Sequence, residues 1–306
     1  MRIITAGASY TDIDVYGGIT AYAELLRKQG QEALAVTTAP LNESIPPIVR
    51  EWPVELATEY TSNADDTYTL IDVSEPDFFE TFVVMDRVDA IIDHHPGQEV
   101  FWHERIGDKA RIEHVGAACT QVYEEWVAAG LIGEISQTSA RLLMCGILDN
   151  TLNFGAKITN ERDHAAYQAL RQYADLPDDW PSVYFRDCQK TILADLVTAI
   201  KNDTKNPKLV TDALQPAIGQ LALWDGAAIA ERFGPTFKQV LGDMNELWCM
   251  NLISIGEGRS YFITDNTVMQ DWLHKVLGVT FDGNIAAADR MWLRKEIFKA
   301  DIEYGK

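Results

Sequence analysis

The sequence predicts an α/β protein, with a parallel-sheet domain followed by a smaller α/β domain and a cleft between the two. Three observations predict it. Short apolar runs alternate with helix-period patterns through the first half, as strands joined by crossover helices do. The chain has 306 residues, long for a single hydrophobic core. The stretch Leu176-Pro177-Asp178-Asp179-Trp180-Pro181-Ser182 then interrupts the alternation with two prolines, residues that stop helices and mark boundaries. A new pattern begins beyond it, which places the boundary near residue 190 and the domains over 1–188 and 192–306.

Residues 3–6, 33–37, 68–73 and 88–92 read as strands of the first domain. Residues 18–27 read as a helix with Ile19, Tyr22, Leu25 and Leu26 on one face. Residues 118–128 and 138–148 are also helical, the second apolar enough to be buried. A polar helix starts at Asn160, with Glu161 and Asp163 in the first turn, where the helix dipole favours negative charge. Beyond the break, 192–200, 227–233, 237–248 and 267–277 read as helices, and 217–223, 250–255 and 260–264 as strands.

Composition excludes several classes. The formal net charge of −20 opposes binding to a nucleic acid duplex, which needs a basic surface to displace counterions. It leaves room for a small phosphorylated anion, because a local cluster of metal ions reverses the field inside a cleft. No apolar run approaches the length that crosses a bilayer, so no membrane partner is expected. The opening segment Met1-Arg2-Ile3-Ile4-Thr5-Ala6-Gly7 reads as a strand running into a Gly turn rather than as a secretory signal, and a cytoplasmic location is expected. The cysteines Cys119, Cys145, Cys188 and Cys249 are widely spaced; they read as buried thiols, not as a zinc or redox motif.

Four segments place an acidic or histidine residue where an apolar run stops: Tyr10-Thr11-Asp12-Ile13-Asp14, Thr69-Leu70-Ile71-Asp72, Ala90-Ile91-Ile92-Asp93-His94-His95 and Gly146-Ile147-Leu148-Asp149. The first three follow strands, and ligands of an open parallel sheet bind beyond the carboxyl ends of its strands. The fourth ends a buried helix that can aim Asp149 at the same place. Carboxylates and imidazoles gathered there repel one another unless cations intervene. Oxygen ligands with imidazole suit Mn²⁺ or Mg²⁺, and a pair of such ions polarises a phosphoryl group and activates water.

Asp93-His94-His95-Pro96 after an apolar strand resembles the signature of the DHH superfamily. The neighbouring motifs follow in the family's order: a D-x-D at Asp12 and Asp14, an Asp closing a strand at Asp72, and Asp149 before Asn150-Thr151-Leu152-Asn153-Phe154. His114-Val115-Gly116-Ala117-Ala118-Cys119-Thr120 is similar to the family's V-G-x-x-x-T helix start. Trp292-Leu293-Arg294-Lys295-Glu296-Ile297 resembles the S-R-K-K-Q segment of the DHHA2-type second domain, and Asp203-Thr204-Lys205 its D-x-K stretch. The likeness is greatest to family II, manganese-dependent inorganic pyrophosphatases and to the prune-like exopolyphosphatases.

This resemblance implies a hydrolase of pyrophosphate or short polyphosphate that uses two ions, Mn²⁺ or in its place Mg²⁺ or Co²⁺. Asp12, Asp14, Asp72, His94 and Asp149 would hold the ions, with Asp72 as the bridge. Asp93 would orient His94, and His95 would face the substrate as donor or general acid. Arg294, Lys295 and Lys205 would bind phosphate. A homodimer is implied as well. The sequence departs from the pyrophosphatase pattern at Ala8, where the family has its first histidine, and at Val73, where it has another. Two other readings stay open: a DHH phosphodiesterase acting on short oligonucleotides or cyclic nucleotides, and a degenerate, non-catalytic homologue that binds nucleotides or protein.

Overall fold

The structure is a computed structural model that describes residues 1–305. The chain forms two compact units, Met1–Tyr184 and a second that begins at Phe185.

The first unit runs β1 (Arg2–Thr5), α1 (Ile13–Lys28), β2 (Ala33–Ala35), the single turn α2 (Pro47–Arg50), β3 (Thr67–Ile71), β4 (Val88–Asp93), α3 (Glu99–Ile106), β5 (Ala110–Ile112), α4 (Ala118–Ala128), α5 (Gln137–Asn150) and α6 (Glu161–Ala174). Its five strands pair in the order β2-β1-β3-β4-β5, every pair parallel. That order reverses direction between β1 and β3, and such a switch point opens a crevice beyond the carboxyl ends of the two strands.

Close helix packing fixes what lies beside the crevice. A Cβ on Gly146 of α5 would come within 2.5 Å of Cys119 Sγ and 3.0 Å of Asp14 Oδ1, so only glycine lets α1, α4 and α5 meet there. Leu142, Leu143 and Ile147 of α5 are fully buried in the same core, as are Ile13 and Ile19 of α1.

Helix α7 (Trp180–Ala194) contains the division between the units. The second unit continues through α8 (Leu196–Asn202), β6 (Thr204–Lys205), β7 (Ala217–Leu223), α9 (Gly226–Met244), β8 (Trp248–Ser254), β9 (Arg259–Ile263), α10 (Thr267–Leu277), β10 (Ile285–Ala287) and α11 (Arg294–Tyr304). Its sheet has the order β10-β9-β8-β7-β6; β7 and β8 are parallel and the other pairs antiparallel. Strand β8 is buried along its whole length. One face of the sheet packs on Ile200, Phe237 and Leu241, the other, through Phe262 of β9, on Met269, Trp272 and Ile297. Among the described residues no helix is long and apolar enough to cross a membrane.

The structure departs from the sequence expectations mainly at prolines. Pro181 lies in the first turn of α7 rather than in a break; the missing N–H costs nothing there, because first-turn amides have no helical partner. Residues 227–233 and 237–248, read as two helices, are one helix, α9, with Pro235 inside it. Pro235 is exposed, while Ile229, Ala230, Phe237 and Leu241 are buried on the other face. Burial of Ile229, Phe237 and Leu241 contributes roughly 1.5–3 kcal/mol each, enough together to offset a proline that costs about 3 kcal/mol. Trp248, read as the end of that helix, opens β8 instead. Replacement Phe237→Ala is expected to lower the unfolding free energy by about 3–5 kcal/mol. Urea titration followed by tryptophan fluorescence measures it, and a loss below about 1 kcal/mol would refute this packing.

Candidate metal centre

Helix α1 starts at Ile13, earlier than the expected residue 18, and so sets the D-x-D in a defined frame. Asp12 is its N-cap and accepts from Val15 N at 3.0 Å. Asp14 lies in the first turn, fully buried. Its Oδ2 accepts from Ala118 N and its Oδ1 from Cys119 N, each at 2.8 Å, and the Asn150 amide also donates to Oδ2. The open amides at the start of α4 therefore hold this carboxylate in place.

Asp72 follows β3 with φ +62°, a left-handed conformation that non-glycine residues adopt at a cost and that clusters at functional sites. Asp72 N donates to Ile92 O at 2.8 Å. Its side chain is 6% exposed, and Oδ1 lies 3.2 Å from His94 Nε2 and 3.6 Å from His95 Nδ1. That oxygen is buried, and the group that faces it is His94 Nε2, a donor when the ring is protonated. His94 Nδ1 lies 3.0 Å from Val115 O, which makes Nδ1 the donor and turns Nε2 towards Asp72 and Asp14, the latter at 3.9 Å. A nitrogen lone pair facing two carboxylates is stable only with a proton or a metal ion among them. Asp72, His94 and His95 offer ligand atoms within 4.8 Å of one another.

The expectation that Asp93 orients His94 is corrected by these contacts. Asp93 Oδ1 accepts from the His94 amide at 2.7 Å and the His95 amide at 3.1 Å, and lies 2.9 Å from His95 Nδ1. Asp93 therefore orients the His95 ring, while the Val115 carbonyl sets His94. His95 is largely exposed and lines a cavity of about 420 Å³ with Gly7, Ser9, Tyr10, Asp12, Asp72, Phe78 and Asn150. Asp149, near the end of α5, lies 3.0 Å from Tyr184 Oη, which also lies 2.8 Å from Ser44 O; the single phenolic proton serves one or the other.

The electrostatics match a site short of positive charge. Burial, then the charges of Asp72 and Asp14, raise the Asp12 carboxyl well above its ordinary range, against the amide bond from Val15. Burial and Asp14 raise Asp72 as well. Burial lifts Asp149 to about 7, with Tyr184 opposing and Asp14 and Glu43 adding. Burial disfavours a charged His94, but the Asp72 and Asp14 carboxylates outweigh it and raise its pKa to about 10. A hydrogen bond from its ring to Asp93 raises His95.

The donors therefore fit divalent ions. Carboxylates and imidazole nitrogens meet at Asp72, and the repulsion among the buried carboxylates is what cations relieve. Of the expected ligands, Asp72 and His94 offer ligand atoms close together, with His95 beside them; Asp12, Asp14 and Asp149 act on this group or on one another as neighbouring charges. Ala8 supplies no donor side chain; its amide is bound to Phe78 O at 2.8 Å.

The remaining sequence candidates lie in the second unit. Lys205 is in β6 and Lys295 in the first turn of α11, both exposed. Arg294 opens α11, with its guanidinium on the Asp203 carboxylate and, at 2.7 Å, on the Asp203 carbonyl. Sequence reasoning missed Asn150 and Tyr184, which contact proposed ligands. Asn150 follows Asp149 directly, a signal that was available; nothing local marks Tyr184, which lies past two prolines.

The architecture is that of a DHH-type two-domain fold. Over 99% of this chain and 100% of the other, it is similar to the structure described as a "putative family II inorganic pyrophosphatase" from Methanococcus jannaschii, with a TM-score of 0.60 and 18% identity. An exopolyphosphatase-related protein from Bacteroides fragilis is similar over 99% of this chain and 91% of its own, with a TM-score of 0.51 and 14% identity. No protein-family model and no curated protein matches the sequence.

Linkage gives a test. In the metal-free chain Asp72 and Asp149 bind protons more tightly folded than unfolded, so their ionisation penalises the fold as pH rises from about 4 towards 7. The raised His94 contributes stability that is full below its ordinary 6.5 and is lost towards 10. Both act in one direction: the metal-free melting temperature falls between about pH 5.5 and 8.5, and saturating Mn²⁺ flattens the decline. Scanning fluorimetry with EDTA or Mn²⁺ measures both, and a metal-free melting temperature that climbs over this window would contradict the reading.

Proposed function

We propose that the protein hydrolyses phosphoanhydride bonds, in pyrophosphate or short polyphosphate, with divalent ions, Mn²⁺ or in its place Mg²⁺ or Co²⁺, held by Asp12, Asp14, Asp72, His94 and Asp149. The observation that carries it is the buried Asp72 oxygen set against His94 Nε2 at 3.2 Å and His95 Nδ1 at 3.6 Å, a trio of ligand atoms within 4.8 Å of one another. The two similar structures, one described as a pyrophosphatase and one as exopolyphosphatase-related, support the substrate class. Bound ions supply charge neutralisation for the phosphoryl group and make water more acidic.

The chain's own residues supply the rest. Asp93 holds the Nδ1–H of His95, which leaves Nε2 of this exposed ring to carry a proton to the leaving phosphate. Asn150 steadies Asp14 through its amide, and the Tyr184 hydroxyl lies against Asp149. Arg294, Lys295 and Lys205 are assigned to substrate phosphate on the sequence resemblance, Arg294 exchanging its bond to Asp203 for one to phosphate.

A second reading has one observation in its favour. Tyr10 and Phe78 line the same cavity and are 55% and 59% exposed, and aromatic faces suit the planar base of a short oligonucleotide or cyclic nucleotide.

The protein with Mn²⁺ is expected to release orthophosphate from pyrophosphate or tripolyphosphate, and Asp149→Asn to lower kcat/KM by about 100-fold or more. A colorimetric phosphate assay over pyrophosphate, tripolyphosphate and longer chains decides this. Release from none of them, with turnover of a cyclic nucleotide or dinucleotide, would favour the second reading.

A further inference from the structure

We infer that Asp163, remote from the carboxylate cluster in sequence, is a positioning residue for two of the proposed metal ligands, His94 and Asp14; the inference rests on the metal reading above. Asp163 is fully buried in the first turn of α6. Its carboxylate accepts from Gly116 N at 3.1 and 3.0 Å, from Thr120 Oγ1 at 2.6 Å and from Asn160 N at 2.9 Å. The Asn160 side chain donates to His114 O at 3.2 Å. One side of segment 114–120 is thus clamped to the start of α6.

The other side of the same segment faces the metal centre. Val115 O fixes His94 Nδ1, and the Ala118 and Cys119 amides hold both oxygens of Asp14. The carbonyl that sets the His94 tautomer is one residue before Gly116, and the amides that hold Asp14 are two and three residues after it. A segment this short cannot shift at Gly116 without moving both contacts. Gly116 leaves no slack either: a Cβ there would lie 2.5 Å from Asp163 Oδ2 and 2.7 Å from Thr151 Cγ2. The glycine and the threonine of the V-G-x-x-x-T stretch are the two residues of that stretch that Asp163 grips.

Groups that hold metal ligands from behind typically contribute 10–100-fold in metal affinity. Asp163→Asn keeps the shape but turns one acceptor into a donor facing N–H groups. It is expected to weaken Mn²⁺ binding, measured by calorimetry, by about 10-fold or more. It is also expected to shift the His94 ring nitrogens in a ¹⁵N-resolved spectrum of the metal-free protein, as the Val115 contact loosens. The control is Asp301→Asn. Asp301 is a buried carboxylate of α11 with a like task, accepting from Val210 N at 2.6 Å, Thr211 N at 3.1 Å and Trp272 Nε1 at 2.9 Å. It should cost stability yet keep Mn²⁺ affinity within about twofold.

Folded Asp163→Asn with wild-type affinity and unchanged His94 shifts overturns the inference, and so does an equal loss of affinity in Asp301→Asn. Should Asp163→Asn fail to fold, Thr120→Val decides in its place: a smaller loss in the same direction supports the link, and wild-type affinity overturns it. A wild-type chain that takes up no Mn²⁺ refutes the metal reading instead. The His94 shifts then decide the link alone, supporting it if Asp163→Asn moves them and overturning it if not.

Discussion

The first unit gathers buried carboxylates at one end of its sheet, where burial and their mutual charge raise the pKa of Asp12, Asp72 and Asp149. Asp12, Asp14, Asp72 and Asp149 lie in or beside one crevice with a single buried imidazole among them. Protein groups answer only part of that charge. Asp14 is answered by two helix amides and Asp93 by the amides and ring of the histidine pair. Asp72 has a buried oxygen that meets only imidazole nitrogens, His94 Nε2 at 3.2 Å and His95 Nδ1 at 3.6 Å. Amides fix the Asp14 and Asp93 carboxylates in place, and Asp72 meets the two imidazoles instead.

The parallel sheet makes this crowding possible. Its strand order brings the ends of β1 and β3 side by side, and β4 adds the histidine pair next to them. Helix α5 crosses behind, close to α1 and α4 because Gly146 is small, and brings Asp149 and Asn150 to the same end. The site is thus built from residues far apart in the chain but rigidly carried by regular elements, as precise positioning of charged groups requires.

Much of this was legible in the sequence. Helical periodicity made helices 118–128 and 267–277 readable to the residue, the second also capped by Asn266, and apolar runs ending in Asp or His pointed to the strand ends. What was not legible depended on tertiary context. Pro181 and Pro235 read as breaks because the local cost of proline is visible, while the burial that outweighs it is not. Helix α11 has a weak apolar stripe and was read only as a motif. The role of Asp93 was misjudged because adjacency in sequence does not say which ring its carboxylate meets; the Val115 carbonyl reaches His94 from another strand end. Asp163 looked like an ordinary first-turn acid, and only the fold shows what it grips.

The left-handed backbone at Asp72 narrows what evolution can try there. Glutamate carries the same charge, but it is poorly suited to this conformation, which aspartate and asparagine tolerate better than most side chains. Glycine would relax the chain and remove the carboxylate. The turn therefore acts as a filter on acceptable amino acids, and asparagine, which fits the turn but lacks the charge, is the replacement that would remove the carboxylate while keeping the fold.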